Sequence, residues 1–297
     1  MMRAGVTRCL PTLITAPEAV LGQRLHALDH AIRVSRLGPV MVPGLHLEGP
    51  FLNPTPGYAG CHPAAAMIDP NPELLIRLAA GIAAPIRLLT LAPELPGALA
   101  VIRWARSHGI VTAMGHSAAT LDQVRAAAAA GLTLSTHLGN ALPQPQPKFL
   151  NPLMAQLAED RLSASFIADG IHIPPHAMGM LLRAKGLTRS ILVTDATSAA
   201  DTPPGLYEFA GMTIEHTPAG AVREPGQPVL AGSALRLDQA VRNIVTWGFS
   251  GSTQAIAMAS SHPAALLEIA DGGGSVIWDE ALVPRQVSVG GITVTNP

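Results

Sequence analysis

Four residues able to do hydrolytic chemistry stand at matching places in the chain. Glu48 lies in His46-Leu47-Glu48-Gly49-Pro50, His116 in Gly115-His116-Ser117, His137 in Thr136-His137-Leu138 and Asp195 in Thr194-Asp195-Ala196. Each follows a short apolar run. A borderline cation such as Zn²⁺ takes imidazole nitrogen and carboxylate oxygen, and catalytic zinc sites use three protein ligands plus water. Glu48, His116 and His137 supply such a set. A carboxylate beside a water activated by such an ion can accept its proton and pass it on, and Asp195 suits that role. Taken singly, a histidine at a strand end is more often a hydrogen-bonded structural group. Four such groups after four different strands read as one metal-dependent site. Glu94, after Thr90-Leu91-Ala92-Pro93, reads as structural. His46 precedes Glu48 by two, so the two side chains share a face of their strand. His46 is therefore expected to brace the Glu48 carboxylate. His26, His30, His108, His176 and His216 have no strand-end setting and read as surface groups.

The elements that position these groups can be read from periodicity. Short apolar runs at 6–15, 40–47, 86–91, 110–114, 132–136, 162–168 and 190–194 are bounded by turn signals and read as strands. Between them, 16–36, 73–80, 97–107, 121–130, 153–159 and 175–185 carry helical spacing, with Pro72, Pro96 and Pro175 where helices begin. Seven alternations with near-continuous apolar strands predict a parallel sheet covered by helices. The polar clusters all follow strands, as in the active sites of (β/α)8 barrels. A Rossmann-type sheet would concentrate its signal at a glycine turn after the first strand. The fold expected is therefore α/β, a TIM barrel. Residues 199–230 read as a β-hairpin excursion near the site, 234–247, 253–259 and 263–269 as helices, and 275–294 as two or three strands. A barrel over 1–270 and a short β segment over 271–297 follow.

Composition narrows the partners. The 297 residues are 48% hydrophobic and only 13% charged, with a net charge of −1. No basic footprint for nucleic acid or an anionic membrane is present. Aromatics at 3% argue against base-stacking platforms. A mean hydropathy of +0.32 raises the question of a membrane span. The longest charge-free stretch, 243–267, is interrupted by Asn, Gln, Ser, Thr, His and Pro and does not read as one. Two cysteines, Cys9 and Cys61, cannot build a disulfide framework. The start, 1–17, shows no apolar core of a signal peptide. A cytoplasmic setting is expected.

The segments GLHLEGPFL (44–52), GCHP (60–63), TLAPE (90–94), GHSA (115–118), THLGNAL (136–142), DGIHI (169–173), VTDA (193–196) and LAGSALRLDQAVRNIV (230–245) occur in one order along the chain. Together with GVTRCLPTLIT (5–15) and HPA (262–264), they resemble the N-acetylglucosamine-6-phosphate deacetylases of the amidohydrolase superfamily. The resemblance implies one divalent ion on Glu48, His116 and His137, zinc first, with iron, manganese or cobalt as alternatives. It implies Asp195 as general base and acid, and His62 as the group that polarises the acetamide carbonyl. His172, with the backbone around Asn140 and Ala141, would hold the sugar. The substrate implied is N-acetylglucosamine 6-phosphate, and the products are glucosamine 6-phosphate and acetate. The family is commonly dimeric, which implies a homodimer with Lys148 at the interface.

Four departures accompany the resemblance. The family opens with a small sandwich part and a first barrel strand; here the first run matches its second strand, so the first strand is expected to be missing. A seven-stranded remnant has an open seam, which the tail or a partner must cover unless the chain is a fragment. The linker into the C-terminal strands is shortened around 271–274. Lys148 stands where the family places an arginine for the sugar phosphate, and lysine lacks the bidentate fork. The loop from Glu48 to His62 is longer than the family pattern. Two alternatives follow: an amidohydrolase acting on another N-acyl sugar or a cyclic amide, and a truncated, catalytically silent barrel.

Overall fold

A computed structural model describes residues 1–270 and 272–296. Seven strand–helix units run in order: β1 (Thr12–Ile14), α1 (Glu18–Val34), α2 (Gly38–Met41), β2 (Leu45–Glu48), α3 (Pro72–Ala79), β3 (Ile86–Leu91), α4 (Ala98–Ser107), β4 (Val111–Met114), α5 (Leu121–Ala130), β5 (Leu134–Ser135), α6 (Pro152–Ala158), β6 (Ser163–Ile167), α7 (Pro175–Lys185) and β7 (Ser190–Val193). The strands form one parallel sheet in the order of the sequence, β1 to β7. Every neighbouring pair is parallel, so each connection crosses over through a helix on the same side. The sheet curls into a half-barrel.

Local chemistry explains these elements. Asn71 and Asn151 cap α3 and α6 by accepting from Leu74 N and Met154 N, and each is followed by proline in the first helical turn. Thr120 and Gln123 close a reciprocal capping box at the start of α5. The strands are shorter than their apolar runs. Pro11 has no N–H to give to a ladder, which confines β1 to Thr12–Ile14. Pro39 sits in the first turn of α2, which turns Val40 and Met41 into helix instead of strand.

The core lies mostly outside the curled sheet. Leu21, Leu25, Leu74, Leu75, Val101, Ile102 and Val124 on the helices pack against Leu45, Leu47, Leu89 and Leu91 on the strands. A second cluster joins Phe166, Ile167 and Leu192 to Met178, Val241, Ile244 and Met258. A small separate group joins Ala113, Leu134 and Ile191 to Leu88, Val193 and Leu266.

After β7 come β8 (Gly205–Phe209), β9 (Met212–His216), β10 (Ala221–Arg223) and β11 (Leu230–Ser233), an antiparallel sheet in the order β11-β10-β9-β8. It is anchored beside the β7 exit, where Ser233 N donates to Asp195 O and Thr197 N to Ser233 O. Helices α8 (Leu237–Thr246), α9 (Ser252–Ala259) and α10 (Ser261–Leu266) follow. The tail is a three-stranded antiparallel sheet, β12 (Ser275–Trp278), β13 (Pro284–Val289) and β14 (Ile292–Thr295). It packs on the 3-10 turn Met2–Ala4, and Arg8 Nη1 donates to Ala270 O. Among the described residues β1 and β7 are not paired with each other. The expected boundary residue Asp271, and Pro297, lie outside the described residues. Among the described residues no helix is long and apolar enough to cross a membrane.

Candidate active site

One end of the curled sheet gathers the polar groups. Glu48 is the last residue of β2, while His116, His137 and Asp195 each stand two residues past the end of β4, β5 and β7. These three have φ of 52°, 30° and 51°, in the left-handed region that residues with a Cβ seldom occupy. Ala141, in the loop after β5, has φ 51°. Such strain persists where surrounding structure holds it, and it clusters at functional sites.

Glu48, His116 and His137 are buried, and one ligand atom from each lies within 4.8 Å of the others. Glu48 Oε1 is 2.9 Å from His137 Nε2 and 3.3 Å from His116 Nε2. His116 is oriented from behind, with its Nδ1 2.8 Å from the Tyr58 carbonyl oxygen. Only a protonated Nδ1 can use that acceptor, which leaves the Nε2 lone pair for the site. Gly60 permits this packing, since a Cβ there would sit 3.1 Å from His116 Cε1.

The electrostatics are those of ionisable groups facing one another. Burial works against the Glu48 carboxylate, yet the imidazoles of His116 and His137 that face it hold its pKa well below the usual value. Burial also opposes charge on His137, but the Glu48 carboxylate prevails and lifts it to about 9. Asp195 is pushed up to about 6, first by burial and then by the Glu48 charge. Burial, and next His116, pull His62 down to about 3.

These donors fit a divalent ion. The set is two nitrogens and one carboxylate converging on one point, which suits Zn²⁺ and its first-row neighbours. Without an ion, the buried carboxylate is balanced by a proton on His137. A cation held by the same atoms replaces that proton. His137 Nδ1 is buried and has no hydrogen-bond partner among the described residues.

A cavity of about 2110 Å³ opens over this cluster, lined by Glu48, His116, His137, Asp195, His62 and His172 together with Asn140 and Ala141. His62 packs its ring 4.4 Å from that of His116, and its Nδ1 is 2.9 Å from Thr15 Oγ1. His172 is aimed by Asp169, whose Oδ2 is 2.6 Å from His172 Nδ1 and whose Oδ1 accepts from the Ile171 and His172 amides. Asn140 Nδ2 donates to His137 O at 2.9 Å, tying the loop after β5 back to His137. Lys148 is exposed and does not line the cavity, and Phe149 and Leu150 beside it are 76% and 91% exposed.

His46 departs from expectation. Its Nε2 is 2.9 Å from Thr90 Oγ1 and its Nδ1 3.0 Å from Thr12 Oγ1, so it does not brace the Glu48 carboxylate. Residues two apart share a face, but here strand hydroxyls on either side claim both ring nitrogens. Thr90 Oγ1 continues the chain to Thr136 Oγ1 at 2.8 Å. Glu94 accepts from Asn53 Nδ2, Ser117 Oγ and Ala118 N, clamping the turn that carries His116. Sequence reasoning passed over Thr15, which is 2% exposed. Its one signal is position: Ile14 pairs with Glu48, so Thr15 sits at the same strand-end level.

No family model matches the chain. Among curated proteins it is 36% identical over 268 residues to an N-acetylgalactosamine-6-phosphate deacetylase of Escherichia coli O157:H7, covering 90% of this chain and 69% of that protein. It is 33% identical over 251 residues to an N-acetylglucosamine-6-phosphate deacetylase of Lysinibacillus sphaericus, covering 82% and 64%. The chain thus spans about two thirds of the length of these curated relatives. Among solved structures, it superposes with a TM-score of 0.89 and 30% identity on an N-acetyl-D-glucosamine-6-phosphate deacetylase mutant of Mycobacterium smegmatis in complex with N-acetyl-D-glucosamine-6-phosphate, covering 99% of this chain and 78% of that one.

Proposed function

The chain belongs to the N-acetylglucosamine-6-phosphate deacetylase family, and from that premise we propose that it hydrolyses the acetamide of N-acetylglucosamine 6-phosphate to glucosamine 6-phosphate and acetate. The observation that carries this reading is the convergence of Glu48, His116 and His137 within 4.8 Å at three strand ends, with Asp195 lining the same cavity.

Glu48, His116 and His137 would hold one divalent ion, with zinc as the first candidate and iron, manganese or cobalt as alternatives. When bound, such an ion supplies Lewis acidity and makes water a nucleophile near neutral pH. The chain's own residues do the rest. Asp195 takes the proton of the attacking water on its carboxylate and returns it to the departing amine nitrogen. His62, held neutral by burial, donates a hydrogen bond to the acetamide oxygen as negative charge grows there. His172, fixed by Asp169, and the Asn140–Ala141 backbone hold the sugar against these groups. Lys148 answers the phosphate as a point charge. It lies outside the cavity of its own chain, so we assign it to the site of a second copy in a homodimer, with Phe149 and Leu150 at the contact. The barrel over 1–270 would carry all of this chemistry, with 271–297 as an accessory β unit.

The substrate is the finer part of the proposal. The two curated relatives are named for sugars that differ at one carbon, the glucosamine and galactosamine forms. The test is acetate release from a panel of N-acetyl sugars by protein with one bound zinc per chain. Preference for the 6-phosphates is expected, with N-acetylglucosamine 6-phosphate first. Preference for an unphosphorylated N-acyl sugar or a cyclic amide overturns the substrate. A protein that binds no divalent metal at micromolar concentration overturns the mechanism.

A further inference from the structure

We propose that Thr15 is a positioning residue that sets the tautomer of His62, its hydroxyl donating to Nδ1 so that the ring carries its proton on Nε2. The inference rests on the reading of His62 as the group that meets the acetamide oxygen. It adds the residue that makes His62 a donor there.

The geometry runs from the backbone up. Thr15 follows the last residue of β1, whose register places Ile14 opposite Glu48. Its side chain is therefore delivered beside the end of β2, and it is 2% exposed. His62 comes from the loop after β2 and is 6% exposed. The pair sits where water does not compete freely, so the hydroxyl must choose among protein acceptors. Two are in reach: His62 Nδ1 at 2.9 Å and the Glu48 carbonyl oxygen at 3.3 Å. The carbonyl contact is a long hydrogen bond from the hydroxyl, outside the about 2.5–3.0 Å typical of O–H···O, and the ring nitrogen is the nearer acceptor. A hydroxyl has a single proton to give. Given to Nδ1, it leaves Nε2 as the only ring position for the imidazole proton.

The consequence is chemical. A neutral imidazole has one donor and one acceptor nitrogen, and the partner of one fixes the role of the other. With Nδ1 accepting from Thr15, Nε2–H is the donor offered to the cavity that His62 lines. With the opposite tautomer, Nε2 would present a lone pair to a carbonyl oxygen, and two acceptors repel. Glycine at position 49 is required by the same packing, because a Cβ there would sit 2.1 Å from Thr15 Oγ1.

Thr15→Val keeps the shape and removes the hydroxyl, and Thr15→Ser keeps the hydroxyl. In zinc-loaded protein, kcat for N-acetylglucosamine 6-phosphate should fall about 10- to 100-fold in Thr15→Val, below the roughly 10²–10³ of losing a donor outright. KM should change less than about threefold, and Thr15→Ser should stay within about threefold of the parent. The readout that a merely structural role does not move is the His62 tautomer, from long-range ¹H–¹⁵N spectra of ¹⁵N-histidine-labelled protein, with His62→Ala to assign the signal. Nε2–H in the parent and in Thr15→Ser, with loss of that single state in Thr15→Val, is the expected pattern. Nδ1–H in the parent overturns the proposal even if Thr15→Val fails to fold, and so does an unaltered kcat in a folded Thr15→Val. The spectra need no turnover. A parent that releases no acetate therefore counts against the deacetylase reading alone.

Discussion

The two ends of the curled sheet both bury ionisable groups, but they answer them differently. At the end where strands begin, each group has backbone partners. Asp29 Oδ1 accepts from the amides of Ala83 and Ala84 just before β3, and Lys185 Nζ donates to the carbonyls of Gln156 and Glu159 just before β6. At the end where strands finish, Glu48, His116, His137 and Asp195 chiefly face one another. Main-chain partners cannot change protonation or leave, so the first arrangement is finished when the chain folds. Ionisable partners can exchange protons or yield their contacts to a ligand, so the second is finished only by what binds. In a (β/α)8 barrel the two ends divide into stability and chemistry in this way.

The largest test of the contrast is Asp195→Asn. Losing the proton carrier should lower kcat by about 10²–10⁴ while one zinc per chain is retained, measured by acetate release and metal analysis. Equal turnover would mean that Asp195 does not move the proton, and the strand-finish end would lose its chemical distinction. Next comes Glu48→Gln. Removing a ligand should weaken zinc binding more than the 10- to 100-fold seen on removing supporting groups, and competition with a chelator reads this directly. Glu94→Gln lies one step back, because its carboxylate fastens Asn53, Ser117 and Ala118 around His116. Zinc affinity should fall about tenfold, since the turn is loosened but no ligand is lost. Wild-type affinity in that variant would show that the backbone alone holds His116.

Much of this end was legible in the sequence because each candidate site residue stands at a change of period, where an apolar run stops. Glu48, His116, His137 and Asp195 are marked that way. What was not legible is lateral. Whether His46 meets Glu48 or Thr90 depends on which hydroxyls the neighbouring strands bring alongside, and register sets that, not spacing within one strand. Thr15 stayed hidden for the same reason, since its meaning comes from the pairing of β1 with β2. Strand lengths were overestimated where proline intervened. The helical turn that holds Pro39 runs into the start of the expected strand at Val40 and Met41, and Pro11 removes a ladder donor. The opposite end was silent, because Asp29 within α1 and Lys185 at the last turn of α7 look like solvated charges until the fold places loop backbone against them.

The smallest expected effect sharpens the contrast from that silent end. Asp29→Ala leaves the Ala83 and Ala84 amides, which are partly open to water, without their side-chain acceptor, at about 0.5–1.5 kcal/mol for each hydrogen bond lost. At about 2–4 °C per kcal/mol the melting temperature falls by several degrees, while kcat per folded molecule should stay within about twofold of the parent. Asp29→Asn retains an acceptor oxygen and should fall between the two. The sign of the pH dependence is set by the folded carboxyl. The Ala84 amide first, then the Ala83 amide and Arg33, hold its pKa below the usual value despite burial. A carboxyl with a depressed folded pKa contributes stability that is fully present above its unfolded pKa, about 3.9, and is lost as pH falls through the folded value. The stability gap between parent and Asp29→Asn should therefore be constant from pH 7 to about 5 and close in more acid solution. A gap that opens in acid, or a kcat that falls with the melting temperature, would mean that the strand-start end reaches the chemistry after all.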